Sequence, residues 1–190
     1  VYSVAEENYI KGIYHLQQKA KTVSTNALAA HLNTKPASIT DMLKRLQTKK
    51  LLDYEPYYGV RLSSSGNKLA LSIVRRHRLW EYFLVNTIGF GWEEVHEIAE
   101  QLEHVQHPAL IEKLDVFLGR PAFDPHGDPI PDMDGKMALV DYESLTEVKP
   151  GKEVLFAAVD MQTADLMNML QYKNLKLGDR LMVEERFDFD

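Results

Sequence analysis

The chain has 190 residues, 45% hydrophobic and 26% charged, enough for one well-filled core and a smaller unit. It has no cysteine, which excludes a disulfide scaffold, a thiolate zinc site and a thiol nucleophile; with no membrane-length apolar run and no opening signal-peptide pattern, a cytoplasmic protein without a membrane partner is expected. The net charge of −6 is split, since residues 1–90 carry 13 Lys and Arg against 6 Asp and Glu while residues 91–190 carry 9 against 22, the footprint of a nucleic-acid-binding domain joined to something else.

SVAEENYIKGIYHLQQ, residues 3–18, reads as a helix with Ser3 as N-cap and Glu6 as its capping-box partner. Ile10, Ile13, Tyr14 and Leu16 give it an apolar face. STNALAAHL, residues 24–32, is a short second helix capped by Ser24 or Thr25, and Asn33-Thr34-Lys35 is a turn. Pro36 opens a third helix to about Lys49, at a position where a missing N–H costs nothing. LLDYEP and YGVRLS are short alternating strands joined through Pro56 and Gly59. A helix-turn-helix followed by a β-hairpin is a winged helix.

Ser64 or Ser65 then caps a long helix through about Asn86 that ends near Gly89. Residues 92–105 form the next helix, His107-Pro108 breaks it, and residues 109–118 form another. GRPAFDPHGDPIP, residues 119–131, is a Pro/Gly-rich linker. Beyond it MALVDY, EVLFAAV and DRLMVEER read as strands, interrupted by an amphipathic stretch at 163–172. This predicts a small β-barrel with one helix; three strands are too few to close it, so its remainder is expected beyond residue 190. The fold class is mainly α with small β. The expected domains are a winged helix at 1–64, a helical domain at 65–120, a linker at 121–136 and a small β domain at 137–190.

In the third helix Ile39, Met42, Leu43 and Leu46 share one face, with Ala37, Asp41, Lys44 and Thr48 opposite and Ser38, Thr40 and Arg45 on the flanks. Ser38 and Thr40 can bond to either kind of base edge, and Asp41 can accept from cytosine N4. Thr25, Lys35, Lys44, Arg45 and the wing residue Arg61 are expected on phosphates, which set register rather than sequence.

On the helix at 92–105, His96, Glu100, Glu103 and His104 fall within roughly a 100° arc, and His77 and Glu81 stand one turn apart on the preceding helix. Three imidazoles and three carboxylates can fill the shells of two divalent cations, although any amphipathic surface helix also shows a polar stripe. His107 precedes Pro108, which pushes it out of helical geometry. His126 in FDPHGDP reads as a loop hydrogen-bonder, and His15 and His31 have no partner at helical spacing. Neither ligand segment holds Cys or Met, so the hard oxygen and imidazole set favours Mn(II), with Fe(II) as the alternative. Val95, Ile98, Leu102, Leu110, Leu114 and Phe117 exceed what one short bundle can bury, which predicts a two-fold homodimer.

The order of these elements, with EENYIKGIY at 6–14, the helix-turn-helix at 24–49, RRHRLWE at 75–81, VHEIAEQLEH at 95–104 and FDPHGDPIP at 123–131, resembles the diphtheria toxin repressor family of metal-dependent transcriptional regulators. Within it the chain looks most like manganese transport regulators that keep a C-terminal domain. The resemblance implies a non-enzymatic repressor of metal-uptake genes, activated by metal, two ions per subunit. It implies a homodimer on a palindromic double-stranded operator, and an SH3-like C-terminal barrel. It assigns His77, Glu81 and His96 to an ancillary site, and Glu100, Glu103 and His104 with Asn8 to a primary site.

The short manganese regulators carry acidic residues where this chain has Asn8 and Lys11, and a charged lysine cannot ligate. Iron-responsive members carry a thiolate where Glu100 stands. In relatives with a C-terminal domain that domain can lend ligands to the ancillary site; Asp160 and Thr163 lie near the matching place but at a different spacing. Rival readings are a metal-independent winged-helix regulator, a dimerising scaffold, and a metallohydrolase, which would need an open coordination position and leave the basic winged helix without a role.

Overall fold

Helix α1, Val4–Gln17, starts on the capping box written into its sequence. Ser3 Oγ accepts from Glu6 N at 3.3 Å, and the Glu6 carboxylate accepts from Ser3 N at 3.1 Å. The computed structural model describes residues 2–160 and 163–186. The chain forms two units: residues 1–77 with 102–108 and 131–136, and residues 78–101 with 109–130 and 137–190.

The first unit contains α1, α2 (Thr25–His31), α3 (Pro36–Thr48), the hairpin β1 (Leu52–Glu55) and β2 (Gly59–Leu62), and most of α4 (Ser64–Phe83). Ser24 Oγ caps α2 by accepting from Ala27 N at 3.1 Å. Asn33 turns the chain into α3 at φ 47, and Pro36 occupies the first turn as expected. The hairpin is antiparallel, with Leu52 opposite Leu62 and Tyr54 opposite Val60, and Val23 bridges to Val60. Leu52, Tyr54 and Val60 therefore face inward, onto a core in which Ile10, Ile13, Leu28, Ile39, Leu43, Leu46 and Ile73 are fully buried. This is the winged helix that the sequence predicts.

The second unit begins with the end of α4, which passes into a π-helical turn at Leu84–Ile88. Helices α5 (Val95–Leu102) and α6 (Pro108–Phe117) follow. Leu79, Ile111, Leu114 and Ile130 pack with Trp80 and Phe83. A second cluster joins Val159, Met167 and Leu170 to Trp92. It lies under α7 (Ala164–Tyr172), whose N-cap Thr163 Oγ1 accepts from Leu166 N. Strands β3 (Glu153–Leu155) and β4 (Arg180–Met182) pair antiparallel. Among the described residues the fold is mainly helical with two small antiparallel sheets, and no helix is long and apolar enough to cross a membrane.

Two expectations need correction. Helix α5 is shorter than residues 92–105: it stops at Leu102, and Glu103 and His104 sit in the turn that follows. They therefore leave the helical face on which period alone puts them. MALVDY forms no strand; it has the alternation of one but no ladder partner for its backbone groups, and Leu139 is fully exposed.

Helix α4 comes so close to the hairpin that a Cβ on Gly66 would overlap the Leu51 carbonyl oxygen. The backbone on both sides is fixed by structure, so the overlap cannot be relieved by a side-chain rotation. Gly66→Ala should cost about 1–3 kcal/mol, the usual penalty for overpacking. Thermal unfolding followed by circular dichroism should show Tm lowered by roughly 2–10 °C; an unchanged Tm would mean that α4 shifts freely.

Candidate metal centre

In the first unit α1, α4 and the turn after α5 converge on two buried carboxylates, Glu7 and Glu103, which are 1% and 0% exposed. Lys11 Nζ lies 2.7 Å from Glu103 Oε1 and 2.8 Å from Oε2. Only the second contact has hydrogen-bond direction, so Oε1 is left without a hydrogen-bond partner. His77 Nδ1 stands 2.7 Å from Glu103 Oε2. Arg76 donates from Nη2 to Glu7 Oε1 at 2.6 Å and from Nε to the Glu103 backbone carbonyl.

His104 Nδ1 stands 2.6 Å from Glu7 Oε2. A carboxylate at that nitrogen calls for a proton there, which leaves the lone pair on Nε2. That Nε2 is 3.8 Å from Glu103 Oε1. Asn8, next to Glu7 on α1, has a buried Oδ1 with no hydrogen-bond partner among the described residues. An orphaned amide oxygen, an incompletely satisfied carboxylate and an oriented imidazole fit a hard divalent cation.

The second unit holds a different arrangement. His96 Nδ1 is 3.4 Å from Glu81 Oε1, and its Nε2 is 3.6 Å from Glu100 Oε1. Glu81 is buried, and its Oε2 lies 3.6 Å from His126 Nδ1. Glu81, Asp124 and His126 each present a ligand atom within 4.8 Å of the others. His126 stacks on the Trp92 ring, and its Nε2 donates to the Trp92 carbonyl at 2.8 Å. Its Nδ1 is buried, and among the described residues its facing group is the Glu81 carboxylate at 3.6 Å, beyond ordinary hydrogen-bond length.

The loop that carries this group is shaped by Asp124 and Gly127. Asp124 Oδ1 accepts from the backbone N–H groups of His126 at 2.8 Å and Asp128 at 3.0 Å. Gly127 has φ 88, and a Cβ there would run into the Ala157 carbonyl. Arg78 lies 3.4 Å from both Asp124 Oδ2 and Asp128 Oδ2. Burial, then the Glu81 and Asp128 carboxylates, push the Asp124 carboxyl up to about 7, against Arg78 and His126. Burial opposes charging of His126, but Glu81, the Trp92 carbonyl and Asp124 outweigh it and raise its pKa.

Asn8, His77, Glu103 and His104 thus belong to the first unit, and Glu81, His96 and Glu100 to the second. Sequence reasoning missed Glu7, Arg76, Asp124 and the second role of His126. His126 is the loop hydrogen-bonder expected, yet its other nitrogen faces a carboxylate pair. The available signal was FDPHGDP itself, which sets Asp, His and Asp within five residues of a turn. On the winged helix Lys35, Ala37, Ser38, Asp41, Lys44, Arg45 and Arg61 are exposed, and Thr25 and Thr40 half-buried. Arg45 is drawn toward Glu6 at 3.9 Å, and Arg61 sits opposite Asp53 across the hairpin.

Residues 3–60 match the N-terminal DNA-binding domain of the iron-dependent repressors, and residues 63–132 match their metal-binding and dimerisation domain. The diphtheria toxin repressor of Corynebacterium jeikeium is 28% identical over 182 residues, 95% of this chain and 76% of that protein. The iron-dependent repressor IdeR of Mycobacterium leprae is 30% identical over 155 residues, 78% of this chain and 67% of that protein. A solved manganese-dependent transcriptional repressor in complex with manganese is 34% identical, covers 97% of this chain and 85% of its own, and superposes with a TM-score of 0.86.

Asp124 titrates near 7 in the fold against 3.8 as a free side chain, so between those values the folded chain holds more protons than the unfolded one. Stability of the metal-free protein therefore falls as pH rises through that window, and the raised pKa of His126 acts in the same direction. Melting curves should give a lower Tm at pH 8 than at pH 5, and Asp124→Asn should shrink the difference. If the difference were the same in the variant, Asp124 would not be the titrating group.

Proposed function

The chain belongs to the family of iron-dependent repressors, and we propose that its effector is Mn(II), with Fe(II) as runner-up, at two sites per subunit. It is a metal-responsive, DNA-binding transcriptional repressor, and genes for metal-ion uptake are its proposed targets. The carrying observation is a pair of imidazole and carboxylate groups without sulfur, one of them built on the helix that opens the winged-helix unit. The proposed ligands are Asn8, His77, Glu103 and His104 in the first unit, and Glu81, His96, Glu100, Asp124 and His126 in the second.

Mn(II) supplies a hard double charge that prefers oxygen and imidazole ligands in an ordered shell. The chain's own residues do the rest. Glu7 holds His104 by Nδ1 and so presents Nε2. Asn8 brings an amide oxygen from α1, the helix whose Ile10 and Ile13 pack into the core of the winged helix. Drawing Asn8 together with Glu103 and His104 fixes the seat of α1, and with it the helices packed on it. With a metal held there, these residues would favour one arrangement of α1 over others and so raise DNA affinity, a differential-affinity effect.

In α3, Ser38, Thr40 and Asp41, with Ala37 beside them, are assigned to base edges. Thr25, Lys35, Lys44, Arg45 and Arg61 are assigned to phosphates. Leu110 and Phe117 of α6, 41% and 69% exposed, support a homodimer through that helix. Val95 and Leu114, expected at the same interface, are instead buried within the chain. A two-fold dimer would set two α3 helices on a palindromic operator with half-sites spaced by whole turns of DNA. Residues 1–64 are assigned to DNA binding, 65–120 to metal binding and dimerisation, 121–136 to a linker, and 137–190 to a small SH3-like β domain.

Fluorescence anisotropy with operator-like DNA, with Mn(II) and with chelator, tests the reading. DNA binding should require Mn(II) and saturate at two chains per palindrome, and Glu103→Ala should leave only weak, salt-sensitive binding. A Glu103→Ala variant that responds to Mn(II) like the parent would remove Glu103 from the sensor.

The neutral amide of Asn8 leaves the shell one negative charge poorer than aspartate would. Asn8→Asp should shift the Mn(II) midpoint to lower concentration in the same assay. An unmoved midpoint would take Asn8 out of the coordination shell.

A further inference from the structure

The four charged side chains at the centre of the first unit cancel: Glu7 and Glu103 against Lys11 and Arg76. Both Glu103 oxygens already lie within 2.8 Å of the Lys11 ammonium. A divalent cation taken up here adds two positive charges to a balanced, water-poor cluster. Like charges repel strongly at that range in a water-poor site, so a resident cation has to give way. We propose that Lys11 is that cation: a built-in competitor that occupies the Glu103 carboxylate until metal displaces it. The proposal rests on the assignment of Glu103 as a metal ligand.

The choice between the two cations follows from how each is held. The guanidinium of Arg76 is tied to the Glu7 carboxylate, the Glu103 carbonyl and, at 3.4 Å, the Ser72 hydroxyl. Its removal would undo the group that orients His104. Lys11 ends in a point charge on a four-carbon stem, and its side chain is 11% exposed. Such a chain can keep its stem in place and swing its ammonium toward water. Glu103 Oε1, without a directed hydrogen bond, is the oxygen that Lys11 holds less well.

Lys11 therefore sets the threshold of the sensor. It weakens metal binding by the interaction it must surrender, and it keeps the buried Glu103 from standing unpaired without metal. A sensor with this lysine responds at higher metal concentration than the same fold with a neutral side chain there. The exchange also ties uptake to α1, because the displaced group sits one turn after Asn8 on that helix.

The test is Mn(II) binding to the 190-residue chain by isothermal titration calorimetry, without DNA, for the parent, Lys11→Met and Lys11→Arg. Methionine keeps the apolar stem and removes the charge. Lys11→Met should bind Mn(II) on the order of tenfold more tightly, the worth of one charge-assisted hydrogen bond, while Lys11→Arg should bind no better than the parent. Melting supplies a second readout: Lys11→Met should lower Tm in chelator and gain more than the parent on adding Mn(II). Equal or weaker binding by Lys11→Met overturns the proposal and makes Lys11 a group that stays on Glu103 in the loaded state. If instead the parent and Glu103→Gln take up Mn(II) identically, Glu103 is not a ligand and the underlying reading fails.

Discussion

The closest charged partners of Glu7 and Glu103 come from distant parts of the chain. Lys11 reaches Glu103 across 92 positions, Arg76 reaches Glu7 across 69, and His104 reaches Glu7 across 97. These contacts tie α1, α4 and the turn after α5 into one unit. Removing one partner from such a group leaves a bare buried charge, which costs far more than the pair as a whole contributes. The group therefore acts less as a source of stability than as a constraint. Only one seating of α1 lets every charge be answered.

The second unit meets the same problem with other means. Asp124 and Asp128 each lie 3.4 Å from the Arg78 guanidinium, while the buried Glu81 faces His96 and His126. Asp124 relieves part of the surplus by holding its proton to about pH 7. At the proposed sites a divalent cation would displace Lys11 from Glu103 in the first unit and compete with a proton on Asp124 in the second. Equal ligand chemistry thus gives unequal cost, and the two groups have no reason to fill at the same metal concentration.

Local signals in the chain carried most of the fold. The capping box at Ser3 and Glu6, Pro36 at the head of α3 and the hairpin around Pro56 and Gly59 act over a few residues, and each stands where its chemistry says. His77, Glu81 and His96 stand out by helical spacing, whereas Glu103 and His104 stand out only as residue types, since α5 ends at Leu102 before them. Glu7 was not, because an acid in the first turn of a helix already has a reason to be there. Its partners are remote, and no periodicity reports a contact across 97 positions. Gly66 was hidden for the same reason: the carbonyl it makes room for belongs to Leu51. MALVDY failed in the opposite sense. Its alternation is real, but a strand is a pairing, and pairing cannot be read from one segment alone.

A protein that senses a metal has to remain folded without it. Small structural metal sites do the opposite, since their ligands repel one another until the ion arrives and the ion supplies the folding energy. Here the first unit has a fully buried apolar core of its own, from Ile10 and Ile13 through Leu46 to Ile73, and its buried charges are paired among themselves. Metal is not needed to hold that unit together. It can only redistribute partners among groups already in place, which limits its influence to the difference between two sets of contacts. At the proposed site a divalent cation would take over the Glu103 carboxylate that the Lys11 ammonium holds, one partner replacing another. Small differences are what a reversible switch requires, because an effector that was also the keystone of the fold could not leave without unfolding it.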